Sequence, residues 1–156
     1  MPAAIESDPV PSLAQRRSIH VLGVGGPGMS AIASALVGMG HSVSGSDIVE
    51  SAVLDRLRSE GVVVSLGHSP DNIGVDVEFL AVSTAISEDN LEIVAARTRS
   101  LPVVRRTELL PALAAERRTI AVSGTHGKTT TSSMLALILL GAGLDPSFLI
   151  GGDISQ

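Results

Sequence analysis

Residues 19–45 run as a β-branched stretch, a glycine turn, an amphipathic stretch and a second β-branched stretch, and few folds are open to a chain with that order. Parallel strands need a crossover long enough to hold a helix, so the unit reads as strand, helix, strand within one parallel sheet. Met29, Ile32, Ala33, Leu36 and Val37 share one helical face, and Gly40 stands where such a helix would be capped. The rhythm then continues. Strands are predicted over Ile19 to Val24, Ser42 to Gly45, Val62 to Ser65, Glu78 to Ser83 and Pro102 to Val104. Helices are predicted over Ser51 to Glu60, which stops at Gly61, over Asn90 to Arg99 and over Thr107 to Ala115. The fold class is α/β: a Rossmann-like parallel sheet flanked by helices, over residues 18–116.

After Glu116-Arg117-Arg118, which reads as a linker, the pattern restarts. A strand over Thr119 to Val122, the loop SGTHGKTT and an apolar helix to about Leu140 form the first strand, P-loop and helix of a second α/β domain, spanning residues 117–156. So short a segment cannot bury a core of its own, so it is expected either to dock on the first domain or to begin a larger one. Residues 1–17 contain prolines and acids without an apolar run, and are expected to be a disordered tail, not a signal peptide.

Composition removes several functions. The formal charge is −5, and the basic residues are dispersed in pairs such as Arg16-Arg17, Arg105-Arg106 and Arg117-Arg118, so no basic stripe offers itself to nucleic acid. Cysteine is absent, which excludes disulfides and thiolate metal sites. The most apolar stretch, Met134 to Leu144, falls short of the ~20 residues a membrane span needs and is expected to be a buried helix. No membrane insertion is expected, and the location expected is the cytoplasm.

The first glycine loop, VLGVGGPGMS, sets Gly23, Gly25 and Gly28 in G-x-G-x-x-G spacing between a predicted strand and a predicted helix. In such loops the first glycine permits the turn, the second lets backbone approach a pyrophosphate, and the helix start offers unpaired N–H groups. Asp47, at the end of the second strand, stands where these folds hold an acid against a ribose hydroxyl. NAD, FAD and a UDP-sugar all carry a pyrophosphate and a ribose diol, so the loop defines a shape class of ligand. His68 and Asn72 after the third strand, and Ser83 and Thr84 after the fourth, fall at the same sheet edge; as turn and cap residues they would look the same. His20 and His41 are read as structural.

The second loop, SGTHGKTT, places Lys128 for the β- and γ-phosphates of ATP, Thr129 for Mg²⁺, and the amides of Gly124 to Lys128 as an anion nest. It departs from G-x-x-x-x-G-K-[ST] at Val122, where the first glycine should stand. His126 is open between shaping the loop and touching the ligand.

Two loops of different design narrow the field, because a dehydrogenase has little use for the second. The segments HVLGVGGPGMSAIA, GSD, GHSPDN, VSTAI and VSGTHGKTTTSSML, in that order, closely resemble the amino-terminal part of the Mur ligases over about Ser18 to Asp153. The resemblance implies a ligase of peptidoglycan biosynthesis in which ATP and Mg²⁺ activate a carboxylate as an acyl phosphate that an amine then attacks. The G-x-G-G-x-G-M-S loop and His126 are similar to the branch that joins L-alanine to UDP-N-acetylmuramate. Carried over by position, Gly23, Gly25, Gly26, Gly28, Met29 and Ser30 would line the UDP-sugar, Asp47 and His68 would lie near its uridine and ribose, and Ser83 and Thr84 would border it. Gly124, Thr125, His126, Gly127, Lys128, Thr129 and Thr130 would hold ATP, with Lys128 and Thr129 catalytic and Thr129 on Mg²⁺. The resemblance also implies that the chain is an amino-terminal portion, inactive alone. A ligase that recycles muropeptides, a UDP-sugar-binding module without turnover and an NAD-dependent oxidoreductase are the alternatives.

Overall fold

The computed structural model describes residues 7–150. Five parallel strands, β1 (Ser18–Leu22), β2 (Ser42–Asp47), β3 (Val63–Leu66), β4 (Phe79–Val82) and β5 (Val103–Arg105), form one sheet in the order β3-β2-β1-β4-β5. Between them run α1 (Pro27–Gly38), α2 (Ala52–Ser59), α3 (Leu91–Thr98) and α4 (Arg106–Ala115). Local chemistry marks the starts of α1, α2 and α3. Pro27 occupies the first turn of α1, where its missing N–H costs nothing. The Ser51 hydroxyl accepts the Leu54 amide at the start of α2, and Asn90 Oδ1 accepts the Glu92 amide at 2.9 Å at the start of α3.

Strand alternation divides the core into two layers. Ile19, Val21, Val43, Phe79, Ala81 and Val104 face α1, α2 and α4, where Met29, Ile32, Leu36, Leu54, Leu57 and Leu109 are buried. Leu22, Leu80, Val82 and Val103 face the other way, against Ile93 and Ala96 of α3. Both faces of the sheet are therefore covered, as a parallel sheet requires.

Three expectations need correction. Residues 7–17, expected to be part of a disordered tail, lie on the molecule. The Asp8 amide donates to Val103 O at 3.0 Å, Asp8 Oδ2 accepts the Val103 amide at 2.8 Å, and Ser7 Oγ accepts the Arg105 amide at 3.1 Å. This covers the free edge of β5, while Leu13 is buried in the larger core. Residues 1–6 lie outside the described residues.

Thr119 to Val122, expected to be a strand, has no strand structure. A strand is made by its partner, and no strand among the described residues pairs with it. Helix α5 (Lys128–Gly141) forms, but Met134, Leu137 and Ile138 are exposed, so the apolar stretch is not the buried helix expected. Among the described residues, neither core layer contains one beyond Leu113. Among the described residues no helix is long and apolar enough to cross a membrane.

Candidate functional site

The chain runs from β1 outward to β2 and β3 on one side, then returns to place β4 and β5 on the other. The switch falls between β1 and β4, and in open parallel sheets a ligand crevice opens there at the carboxyl ends of the strands. The first glycine loop lies at that point. Ser83 lies beside it: a Cβ built on Gly23 would sit 3.7 Å from the Ser83 Cβ. Thr84 is exposed on the same turn, and Ser83 Oγ accepts the Ala85 amide at 3.3 Å.

The loop is tied mainly to the end of β2. Ser46 O accepts the amides of Gly23 at 2.9 Å and Val24 at 3.0 Å, and Asp47 Oδ2 accepts that of Gly25 at 2.8 Å. The Gly26 amide donates to Gly23 O, and those of Met29 and Ser30 donate to Gly26 O. Most N–H groups expected to face a pyrophosphate are thus already bonded, to the end of β2 or within the loop. Asp47, expected beside a ribose, spends Oδ2 on Gly25 and Oδ1 on the Val49 amide at 3.2 Å. Met29 is 1% exposed and belongs to the core, and the buried Ser30 hydroxyl donates to Pro27 O at 3.2 Å, so neither side chain lines the crevice as expected.

What supplies positive charge is a residue that sequence reasoning passed over. A Cβ built on Gly28 would collide with the guanidinium of Arg106, which therefore lies over the first turn of α1. The third glycine makes room for this cation. A helix start already carries about half a positive charge, so a guanidinium laid on it is a pairing that an anion would stabilise. Arg106 Nε is buried without a partner among the described residues, which leaves the guanidinium unsatisfied on its inner side. The available signal was position: Arg106 directly follows β5, at the carboxyl edge of the sheet.

Beneath the opposite rim lies a buried polar cluster. Glu92, fully buried in the first turn of α3, accepts from His20 Nε2 at 3.1 Å, Ser46 Oγ at 2.7 Å, Asn72 Nδ2 at 2.7 Å and the Ser69 amide at 3.1 Å. Burial pushes its carboxyl up, but hydrogen bonds from His20, Ser46 and Asn72 outweigh that and hold it below the usual carboxylate range. His20 is structural, as expected, with Nδ1 at 2.9 Å from Ser44 Oγ. His41 is too: it is buried, and its Nδ1 accepts the Arg17 amide at 3.1 Å. Asn72 also donates to Gly67 O at 2.9 Å and so braces the turn Pro70–Asn72. His68 stands at the margin, 17% exposed, with Nδ1 at 3.2 Å from Ser46 Oγ. Glu92 and Ser46 gave no sequence signal, since an acid near a helix start reads as a surface residue.

The second loop leads directly into α5. Gly127 caps the helix, and Gly124, Thr125, His126, Gly127, Lys128, Thr129 and Thr130 are all exposed. Lys128 Nζ curls back to donate to the carbonyls of Gly124 and Thr125, which closes the loop on itself. This presents helix-start amides and an ammonium to solvent, a surface suited to a polyphosphate. For Mg²⁺ the described residues offer less. The ion takes near-octahedral oxygen ligands, and among the described residues no group of three acidic or histidine side chains could hold a metal.

Residues 18–118 match the family described as Mur ligase family, catalytic domain. The chain is 53% identical over 137 residues to the UDP-N-acetylmuramate–L-alanine ligase of Sinorhizobium medicae, covering 88% of this chain and 29% of that protein. Among solved structures it is similar to UDP-N-acetylmuramate-alanine ligase MurC from Thermotoga maritima, with TM-score 0.74 and 36% identity over 81% of this chain and 30% of that one. It is also similar to the UDP-N-acetylmuramate:L-alanyl-gamma-D-glutamyl-meso-diaminopimelate ligase of Neisseria meningitides, with TM-score 0.75 and 31% identity over 89% of this chain and 44% of that one. The chain thus spans under a third of the length of the curated relatives it matches.

Proposed function

The chain belongs to the Mur ligase family, and on that premise we propose that it supplies the UDP-sugar-binding part of a UDP-N-acetylmuramate:L-alanine ligase, an ATP-dependent enzyme of bacterial peptidoglycan synthesis in the cytoplasm. Residues 18–116 form the substrate domain, and residue 117 onward opens the ATP-binding domain. Curated relatives at 50–53% identity over 88% of this chain are L-alanine ligases, which favours L-alanine as the amine.

The observation that carries this reading is Arg106 over Gly28 at the switch point of the sheet. With most loop amides bonded to β2 or within the loop, the free N–H groups of a dinucleotide fingerprint are scarce and the Arg106 guanidinium takes their place. That suits a diphosphate bound mainly by charge. Gly23, Gly26, Gly28 and Arg106 would face the diphosphate, His68 the nucleoside, and Ser83 and Thr84 the sugar. Asp47 serves by holding Gly25.

In the second loop Lys128 and the amides that follow Gly127 would hold the β- and γ-phosphates of ATP, and charge on the transferring phosphoryl group is what they would offset. Thr129 offers one oxygen to Mg²⁺. One hydroxyl does not make a magnesium site, so no step is assigned to the metal here.

Calorimetric titration of the chain with UDP-N-acetylmuramate, NADH and ATP with Mg²⁺ tests the reading. Micromolar affinity for the UDP-sugar with none for NADH is expected. NADH binding without response to the UDP-sugar would refute it.

A further inference from the structure

We infer that Glu92 is a positioning residue for nucleotide recognition: through the Ser46 hydroxyl it fixes the tautomer of His68, so that His68 presents Nε2 to the crevice as a hydrogen-bond acceptor. The inference rests on reading that crevice as the UDP-sugar site.

Hydrogen-bond accounting leads there. The Ser46 hydroxyl has a single proton and lies 2.7 Å from Glu92 Oε2, which as a carboxylate oxygen only accepts. That proton is committed. His68 Nδ1, 3.2 Å from the same Ser46 oxygen, must therefore be the donor of its pair. Its distance of 3.7 Å from Glu92 Oε1 points the same way, because a lone pair on Nδ1 would face a carboxylate. A neutral imidazole with its proton on Nδ1 carries its lone pair on Nε2. Nε2 is not among the buried unpartnered atoms, and the inner side of the ring is the Nδ1 side, so the acceptor faces accessible space.

Stability alone does not account for Glu92. A fully buried carboxylate with four donors could be exchanged for packed apolar groups at little or no loss of stability, whereas removing one partner from such a network is destabilising. What the arrangement does secure is polarity at the rim. Ser46 joins the two halves of the site: its carbonyl holds the amides of Gly23 and Val24, and its hydroxyl orders His68. An outward acceptor selects a ligand group that donates, such as a uracil imide N–H or a ribose hydroxyl, and disfavours phosphate oxygens. The anion is thereby left to Arg106, and the nucleoside to His68.

The test is ¹⁵N-edited NMR of the histidine rings of the chain at neutral pH, alone and in Glu92→Gln and Ser46→Ala, with UDP titrated into each. The wild type is expected to show His68 protonated on Nδ1. In Glu92→Gln the side-chain amide can donate to Ser46, whose proton then turns to His68; the Nε2-protonated form should appear and UDP affinity fall roughly tenfold. Ser46→Ala, which leaves Glu92 in place, should also mix the tautomers and keeps the test open if Glu92→Gln does not fold. Nε2 protonation in the wild type, or an unchanged tautomer in both variants, overturns the inference whether or not UDP binds. Failure of the wild type to bind UDP, with the tautomer as described, would instead overturn the site reading on which its role in recognition rests.

Discussion

The carboxylate of Asp47 occupies the space that a side chain on Gly25 would need. Oδ2 accepts the Gly25 amide at 2.8 Å, and a Cβ on Gly25 would fall 2.9 Å from that oxygen and 3.3 Å from Leu54 Cδ2. Gly25→Val must therefore push the loop off β2 or turn Asp47 away, and Leu54 is core and cannot yield freely. The expected cost is about 1–3 kcal/mol, as for overpacking elsewhere, with loss of UDP-sugar binding. Urea denaturation and calorimetry on the same preparation check both parts. A variant that kept its stability while losing the ligand would show that Gly25 faces the ligand instead.

Arg106 makes the opposite prediction for stability. Its guanidinium lies over the positive end of α1, so in the free chain Arg106→Ala should leave the melting temperature unchanged or slightly raised. If the diphosphate binds at Arg106 as proposed, the same change removes charge-assisted bonds to it, and affinity should fall roughly 10- to 100-fold. The salt dependence of binding should weaken with it. Thermal melts with and without UDP, at two ionic strengths, separate this from a structural role, which would lower both curves.

Acid should lower the stability of the chain over two pH ranges. Burial, then the neighbouring Arg17 and Arg16, lower the pKa of His41 from its ordinary 6.5. A base with a depressed folded pKa binds protons more readily when unfolded, so stability is full above about 6.5 and declines as pH falls below it. Glu92 adds a lower limb. Its carboxyl is held below the ordinary 4.5, so its contribution is present above that pH and is lost as pH falls through the depressed folded value. His41→Asn, which keeps an acceptor for the Arg17 amide, should flatten the first limb alone. Stability against urea from pH 8 to pH 3 reads both.

The strand and helix order of the first domain was legible because β-branched runs, helix caps and glycine stops agree locally along residues 18–115. Placement of side chains was not. Asp47 was assigned outward because strand-end acids often meet a ribose, yet β2 runs on to Asp47 and its carboxylate bonds back to the loop. In the sequence Arg106 is one of several dispersed basic residues; its importance comes from β4 lying beside β1 with β5 next to it, a long-range fact. Glu92 gives no signal in the sequence because its donors come from β1, β2 and the turn after β3, which only the fold brings together. The strand over Thr119 to Val122 failed for a similar reason, since propensity proposes a strand and a partner makes one.

That last segment carries a prediction of its own. Residues 118–127 have no helix or strand structure and are almost wholly exposed, and α5 contributes to neither core layer. A protease given limited time should cut there before it cuts the sheet, because exposed backbone without ladder or helix bonds is the preferred site of nicking. The product ending near Arg117 or Arg118 should keep the melting temperature and UDP affinity of the intact chain, since Arg106, His68 and the glycine loop all lie before the cut. Mass spectrometry locates the nick and calorimetry tests the product. A product that melts earlier would mean that α5 supports the sheet after all, through the one helix residue that is buried, Ala136.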